Sequence, residues 1–158
     1  MKTLLVLATI TLSSAAMACP EMQGRYDHCY SEIRPIKGEY IVDQHQENNY
    51  EVYNVEYNDD ETGESQKEEI KTNNQTVSSK QRLPRVGIRV RIEAKARCQG
   101  NKVISDADVY FMGGKVGNFT NEIYLEGNTL RSNLDGSYLG KSLQKRIVCT
   151  LKQGKSIE

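Results

Sequence analysis

The sequence predicts an all-β fold, an antiparallel up-and-down meander of about eight strands that forms a barrel or a flattened barrel. Three observations indicate this. One long segment alternates strictly between apolar and charged residues, further strand-like segments recur at regular spacing, and no segment after the N-terminus shows a helical pattern. Regularly spaced strands joined by short turns are typical of an antiparallel meander.

The alternating segment spans residues 85–98. A period of two places all its apolar side chains on one face of a strand. The segment therefore predicts a long strand with one face in the core and a mostly cationic face in water. The cations of the second face are Arg85, Arg89, Arg91, Lys95 and Arg97.

Seven further segments have the length and composition of strands, and turn-forming Gly, Asn and Asp residues separate most of them. Residues 64–72 offer only Ile70 as an obvious core residue, which favours an edge strand. The polar residues 73–84 are expected to form a loop, and residues 19–35 a lead-in without a strand. The seven segments are 36–44, 50–58, 64–72, 102–112, 119–125, 129–134 and 141–151.

Residues 1–18 have the pattern of a cleaved export signal. Lys2 precedes an apolar run at 4–12, and small residues at 16–18 form a cleavage site. No later segment is apolar for long enough to span a membrane as a helix. We expect one domain, 19–158, in the periplasm or outside the cell. The alternative is a lipid anchor on Cys19, the first residue after the cleavage site.

The four cysteines, Cys19, Cys29, Cys98 and Cys149, are expected to form two disulfides. An even number of cysteines in a short exported chain is typical of a disulfide framework. Local spacing favours Cys19–Cys29, which leaves Cys98–Cys149, although three connectivities exist for four cysteines.

The charge balance argues against a general nucleic-acid binder, because the chain has 21 basic and 21 acidic residues. If segment 64–72 pairs with 85–98, the cationic face forms a cross-strand charge ladder with an acidic segment. The alternative is a face that binds anions or an acidic partner. The acidic residues are Glu56, Asp59, Asp60, Glu61, Glu64, Glu68 and Glu69.

No motif for catalysis or for metal binding occurs. The two histidines, His28 and His45, lie near Asp27 and Asp43, so a zinc site or a hydrolytic site is a weak alternative. No Cys-x-x-Cys or His-x-x-x-His spacing supports it. We expect no catalytic residues, no metal and no cofactor.

Gly24-Arg25-Tyr26, the meander and the late basic residue Arg146 together resemble the lipocalin or calycin barrels. That family opens with Gly-x-Trp and carries an Arg near the last strand that packs over the Trp. Here Tyr26 stands in place of the Trp. The resemblance implies a small apolar ligand held inside the barrel.

These patterns predict an exported, non-enzymatic binding protein for a small apolar ligand or for a protein of the cell envelope. Tyr138, in a Gly-rich stretch expected to be a loop, is the predicted contact for a protein partner. The alternative function is a secreted enzyme inhibitor of the lysozyme-inhibitor type. A cavity of several hundred Å³ would favour the small ligand, and a solid core would favour the protein partner.

Overall fold

The computed structural model describes residues 19–32, 36–82 and 88–152. The export signal at 1–18 and the cation Arg85 therefore lie outside the described residues. The described part contains ten strands: β1 (Gly24–Ser31), β2 (Gly38–Glu47), β3 (Tyr50–Asp59), β4 (Ser65–Lys71), β5 (Val77–Arg82), β6 (Arg89–Gln99), β7 (Lys102–Phe111), β8 (Gly114–Glu126), β9 (Thr129–Tyr138) and β10 (Lys141–Leu151).

The strands form a single antiparallel sheet in the order β4-β3-β2-β1-β10-β9-β8-β7-β6-β5. Almost every strand pairs with its neighbours in the chain, and the pairing of β1 with β10 joins the two halves. The sheet curls into a half-barrel with its apolar residues on the concave face. The all-β antiparallel meander is confirmed, and β4 is an edge strand as expected.

The expected count of about eight strands is wrong, because β1 forms within the predicted lead-in 19–35 and β5 within the predicted loop 73–84. β1 is short and irregular: its register with β10 shifts between Asp27 and Tyr30, and His28 adopts a φ of 47°. Such a bulge breaks the period of two on which a prediction from sequence depends. β5 is an edge strand of mostly polar residues, so it lacks an apolar alternation.

β9 also differs from the expectation. Asp135-Gly136-Ser137 lies after the end of the predicted segment 129–134, but it belongs to the strand, and the chain turns at Leu139-Gly140. A Cβ at Gly136 would lie 2.2 Å from the Asn118 carbonyl oxygen on β8. Because glycine has no Cβ, β8 and β9 can approach each other closely at this position.

The two ends of the sheet approach each other next to β6. Asn73, which follows β4, forms an isolated bridge with Arg97, and the Asn74 amide donates to the Ala96 carbonyl at 2.9 Å. β4 itself pairs only with β3, while β6 pairs with β5 and β7. The expected charge ladder between 64–72 and 85–98 is therefore wrong.

All four cysteines form disulfides, but the expected pairing is wrong. The bonds are Cys19–Cys98 and Cys29–Cys149, with Cα–Cα distances of 5.2 and 4.1 Å. Cys29 and Cys149 lie on the paired strands β1 and β10. Cys98 faces the concave side of β6, where it ties down the segment that precedes β1. A thiol bonded in this way is not free to carry a lipid at Cys19.

The segment 19–23 closes one end of the half-barrel. The Tyr53 hydroxyl donates to the Pro20 carbonyl and the Tyr26 hydroxyl to the Met22 carbonyl, each at 2.7 Å. The Met22 amide donates to Gln44 Oε1 at 2.8 Å. Tyr26, Tyr53 and Met22 are buried as a result. No helix among the described residues is long and apolar enough to cross a membrane.

Candidate functional site: a cavity in the half-barrel

A cavity of about 190 Å³ lies on the concave face of the sheet. Its first wall comes from β2, β3 and β4, where the register places Val42 opposite Val55 and Tyr53 opposite Ile70. Strand alternation turns all four of these side chains inward. This wall is therefore largely apolar.

The second wall comes from β8, β9 and β10. Ile123, Leu130, Ile147 and Cys149 line it, and Cys149 is locked to β1 by its disulfide. Met22, from the segment that closes the end of the half-barrel, also lines the cavity. The two walls and the closed end enclose a space suited to an apolar molecule.

Besides Tyr53, whose hydroxyl donates to the Pro20 carbonyl, four polar residues line this cavity. On the second wall the Ser132 hydroxyl donates to Asn121 Oδ1 at 2.9 Å, so these two partly satisfy each other. On the first wall Tyr40 stacks at a tilt against Tyr57, with ring centroids 4.7 Å apart. The fourth residue is Glu68 on β4. Polar groups at a few points of an apolar cavity are what fixes the orientation of a bound ligand.

Glu68 has no hydrogen bond or ion pair with any residue that the structure describes. Glu68 is solvent-exposed and lies at the rim of the hollow, where the protein on its inner side partly desolvates the carboxyl. This desolvation raises the pKa of the Glu68 carboxyl. The pKa of Tyr40 is raised to about 12, mainly by burial and then by the charges of Tyr57 and Glu68.

A second, narrower hollow of about 50 Å³ lies in the gap between the edge strand β4 and β6. Small residues, Ala94 and Ala96 on β6 and Ser105 on β7, leave room there. Glu68 borders both hollows. The carboxyl thus lies where the main cavity meets the unpaired edge of the sheet.

The sequence pattern placed Glu68 in the acidic segment and did not identify its position at the cavity. The signal was present: Ile70, expected to be in the core, is two residues away, and a period of two puts both side chains on one face. Ile70 is 7% exposed and lines the cavity beside Glu68. The next residue, Glu69, faces outward and lies 3.4 Å from Lys71.

The predicted cationic face lies on the convex side of β6, away from the cavity. Two of its cations pair locally: Arg97 with Asp106 on β7, and Arg91 with Glu93 at 3.4 Å. Arg91 also lies over the Tyr110 ring, 4.5 Å from its centroid. These opposite charges therefore pair within β6 and between β6 and β7. Binding of an anionic partner by Arg89, Arg91, Lys95 and Arg97 stays a prediction.

Tyr138 is the last residue of β9 and not part of a loop. It pairs with Gly117 of β8 and Lys141 of β10. Its contact with a protein partner stays a prediction. The residues exposed at this end are instead its neighbour Leu139 and, on the β7–β8 turn, Met112.

The histidines do not assemble a site. His28 lies at the β1 bulge, 3.7 Å from Asp27, and His45 on β2 lies 3.4 Å from Glu47. Asp27, His28, Asp43 and His45 do not come together, and the described ranges hold no group of three or more such side chains that could bind a metal.

The residues behind the lipocalin resemblance fit only in part. Tyr26 is fully buried, where that family has its Trp. Arg146, however, does not pack over it. Its neighbour Ile147 lines the cavity, so Arg146 faces the convex side, where it lies 2.8 Å from Asp135. The half-barrel of antiparallel strands remains compatible with a lipocalin-like fold.

Comparison with protein-family models and with curated proteins found no match. Among solved structures, the fold is similar to secretory abundant heat soluble protein 4 from Ramazzottius varieornatus, with a TM-score of 0.53. The likeness covers 82% of this chain and 94% of that one at 12% sequence identity. At this identity it supports the fold alone.

Proposed function

We propose that this chain is an exported, non-enzymatic binding protein that holds a small apolar ligand in its half-barrel. The observation that carries the proposal is the cavity of about 190 Å³ between two largely apolar walls. A cavity of about 150 Å³ lined by aliphatic and aromatic side chains holds benzene. The ligand is therefore a single ring or a short chain, smaller than the ligands of cavities of several hundred Å³.

Two disulfides support an oxidising compartment, in agreement with the export signal that the sequence predicts. They also support the ligand site. One fastens the closed end of the cavity through Cys19, and the other fastens the second wall through Cys149. A site held by covalent bonds loses less conformational entropy when it binds.

The test is a titration of methyl-labelled protein with toluene, followed by NMR. Methyl signals of Ile70, Ile123 and Leu130 should shift and saturate at one equivalent, and toluene should be recovered unchanged. Val55→Phe fills the cavity from β3 and should abolish these shifts. Val77→Phe, the same change at an exposed position of β5, is the matched control and should leave them intact. Absence of saturable shifts in the unmodified protein would refute the proposal.

A protein partner, as for a secreted enzyme inhibitor, is the second candidate. Met112 and Leu139 are 90% and 65% exposed on two adjacent hairpin turns, and both adopt a φ of 49°. The Leu139 amide donates to the Val116 carbonyl at 2.7 Å, which ties its turn to β8. Apolar residues kept in a strained, exposed conformation favour a contact function. Loss of inhibition of the partner enzyme in Met112→Ser/Leu139→Ser would support this second candidate. Unchanged inhibition would exclude these turns as the contact surface.

A further inference from the structure

We propose that Glu68 selects the ligand, and that this ligand is an apolar molecule with a protonated amine which binds the Glu68 carboxylate. The inference rests on the proposed ligand-binding function and adds the chemical class of the ligand. It depends on three observations: the inward position of Glu68, its lack of a partner, and the apolar surroundings of the rest of the cavity.

The position of Glu68 follows from the register of β4. Glu68 lies opposite Val55, and the next inward residue, Ile70, lies opposite Tyr53. Val55, Ile70 and Tyr53 all line the cavity together with Glu68. Glu68 and Glu69 are both solvent-exposed, but of the two only Glu68 borders the apolar main cavity.

Glu56 and Glu69, the acids of β3 and β4 next to Glu68, both have partners. Glu56 accepts from the Ser65 hydroxyl at 3.0 Å and lies 3.2 Å from Lys67. Glu69 lies 3.4 Å from Lys71. Glu68 has neither kind of contact within the described residues, and the nearby Tyr40 hydroxyl also lacks a hydrogen-bond partner there. Glu68 therefore offers an unpaired carboxylate at the rim of the hollow, where a cationic group of a ligand can bind it.

A protonated amine meets the requirements of this cavity. Its N–H groups can donate to the Glu68 carboxylate, and such charge-assisted hydrogen bonds are stronger than neutral ones. Its apolar body then lies between Ile70 and Ile123. Tyr40, adjacent to the carboxylate, supplies an aromatic face and a hydroxyl for the same end of the ligand. An anionic ligand would instead place two negative charges side by side.

The experiment compares benzylamine, benzyl alcohol and toluene, which share one ring and differ in the substituent. Each is titrated at neutral pH into the unmodified protein, Glu68→Gln and Glu69→Gln, with binding measured by calorimetry and by the methyl shift of Ile70. The unmodified protein should bind benzylamine about tenfold or more tightly than toluene. Glu68→Gln should lose this preference and still bind toluene, and Glu69→Gln should keep it.

The amine preference should also weaken as the pH falls through the raised pKa of Glu68, because a protonated carboxyl no longer attracts a cation. Equal binding of benzylamine and toluene by the unmodified protein, or a preference that survives in Glu68→Gln, would overturn the inference while the cavity still binds. If none of the three compounds binds, the proposed function itself fails.

Discussion

The disulfide pairing allows a sharp test by removal of two cysteines at a time. Cys19→Ala/Cys98→Ala removes one bond and should leave Cys29–Cys149 intact, so a thiol assay of the unfolded protein should detect no free thiol. Cys19→Ala/Cys29→Ala removes one partner from each bond and should leave two free thiols, on Cys98 and Cys149. The pairing expected from local spacing gives the reverse pattern for these two variants.

The magnitude follows from the separation of the paired cysteines along the chain. These separations are 79 residues for Cys19–Cys98 and 120 for Cys29–Cys149. In the chain-entropy model, loss of Cys19–Cys98 lowers the free energy of unfolding by about 4.5 kcal/mol, and loss of Cys29–Cys149 lowers it by about 4.9 kcal/mol. Both are upper values. Small domains have about 5–15 kcal/mol in total. Guanidinium unfolding should therefore show a large loss for each double variant, and a disulfide-linked peptide containing Cys19 and Cys29 would refute the pairing.

Three further predictions concern single residues. Glu68→Gln should stabilise the protein at pH 7 by at most about 1 kcal/mol, since Glu68 is solvent-exposed and water screens its charge. The gain should vanish in acid, because a carboxyl whose pKa rises on folding destabilises the protein only as the pH rises through that pKa. Leu139→Asn should stabilise by about 1 kcal/mol in urea unfolding, because Asn tolerates the positive φ of this turn better than Leu. Gly136→Ala should destabilise by about 1–3 kcal/mol through its clash with β8. Its control, Gly114→Ala, should change stability by less than about 0.5 kcal/mol, because the nearest atom to its Cβ lies 3.7 Å away.

The regular part of the fold could be predicted because one face of each long strand is apolar. β6 and β10 illustrate this: alternation identified both, and the structure gives β10 the expected bounds, Lys141–Leu151. β1 and β5 could not be found in this way. The bulge at His28 interrupts the alternation of β1, and β5 lies at an edge where few apolar residues are needed.

The disulfide pairing was missed because distance along the chain is a poor guide in a curled sheet. β1 lies next to β10, so Cys29 meets Cys149 from the far end of the sequence. Cys19 lies on the segment that crosses the closed end and therefore meets Cys98 on β6. No local pattern in the sequence encodes either the position of the first strand beside the last one or the path of the segment before it.

The sequence predicted a ligand site inside the barrel but not the polar residues that line it. A ligand inside a barrel followed from the meander and from the resemblance to the lipocalin barrels. Glu68 did not, because an acid among other acids on an edge strand is usually solvated. The usable signal was that Glu68 is two residues from Ile70 and therefore lies on the same face of β4. The structure shows that this face borders the cavity.

The central claim is that the half-barrel is hollow and accepts a small apolar molecule. Crystals of the protein pressurised with xenon test this most directly, because xenon enters apolar cavities of this size. We predict a xenon atom between Ile70, Ile123 and Leu130, and none in crystals of Val55→Phe. A cavity in which side chains close the space and no xenon binds would contradict the claim.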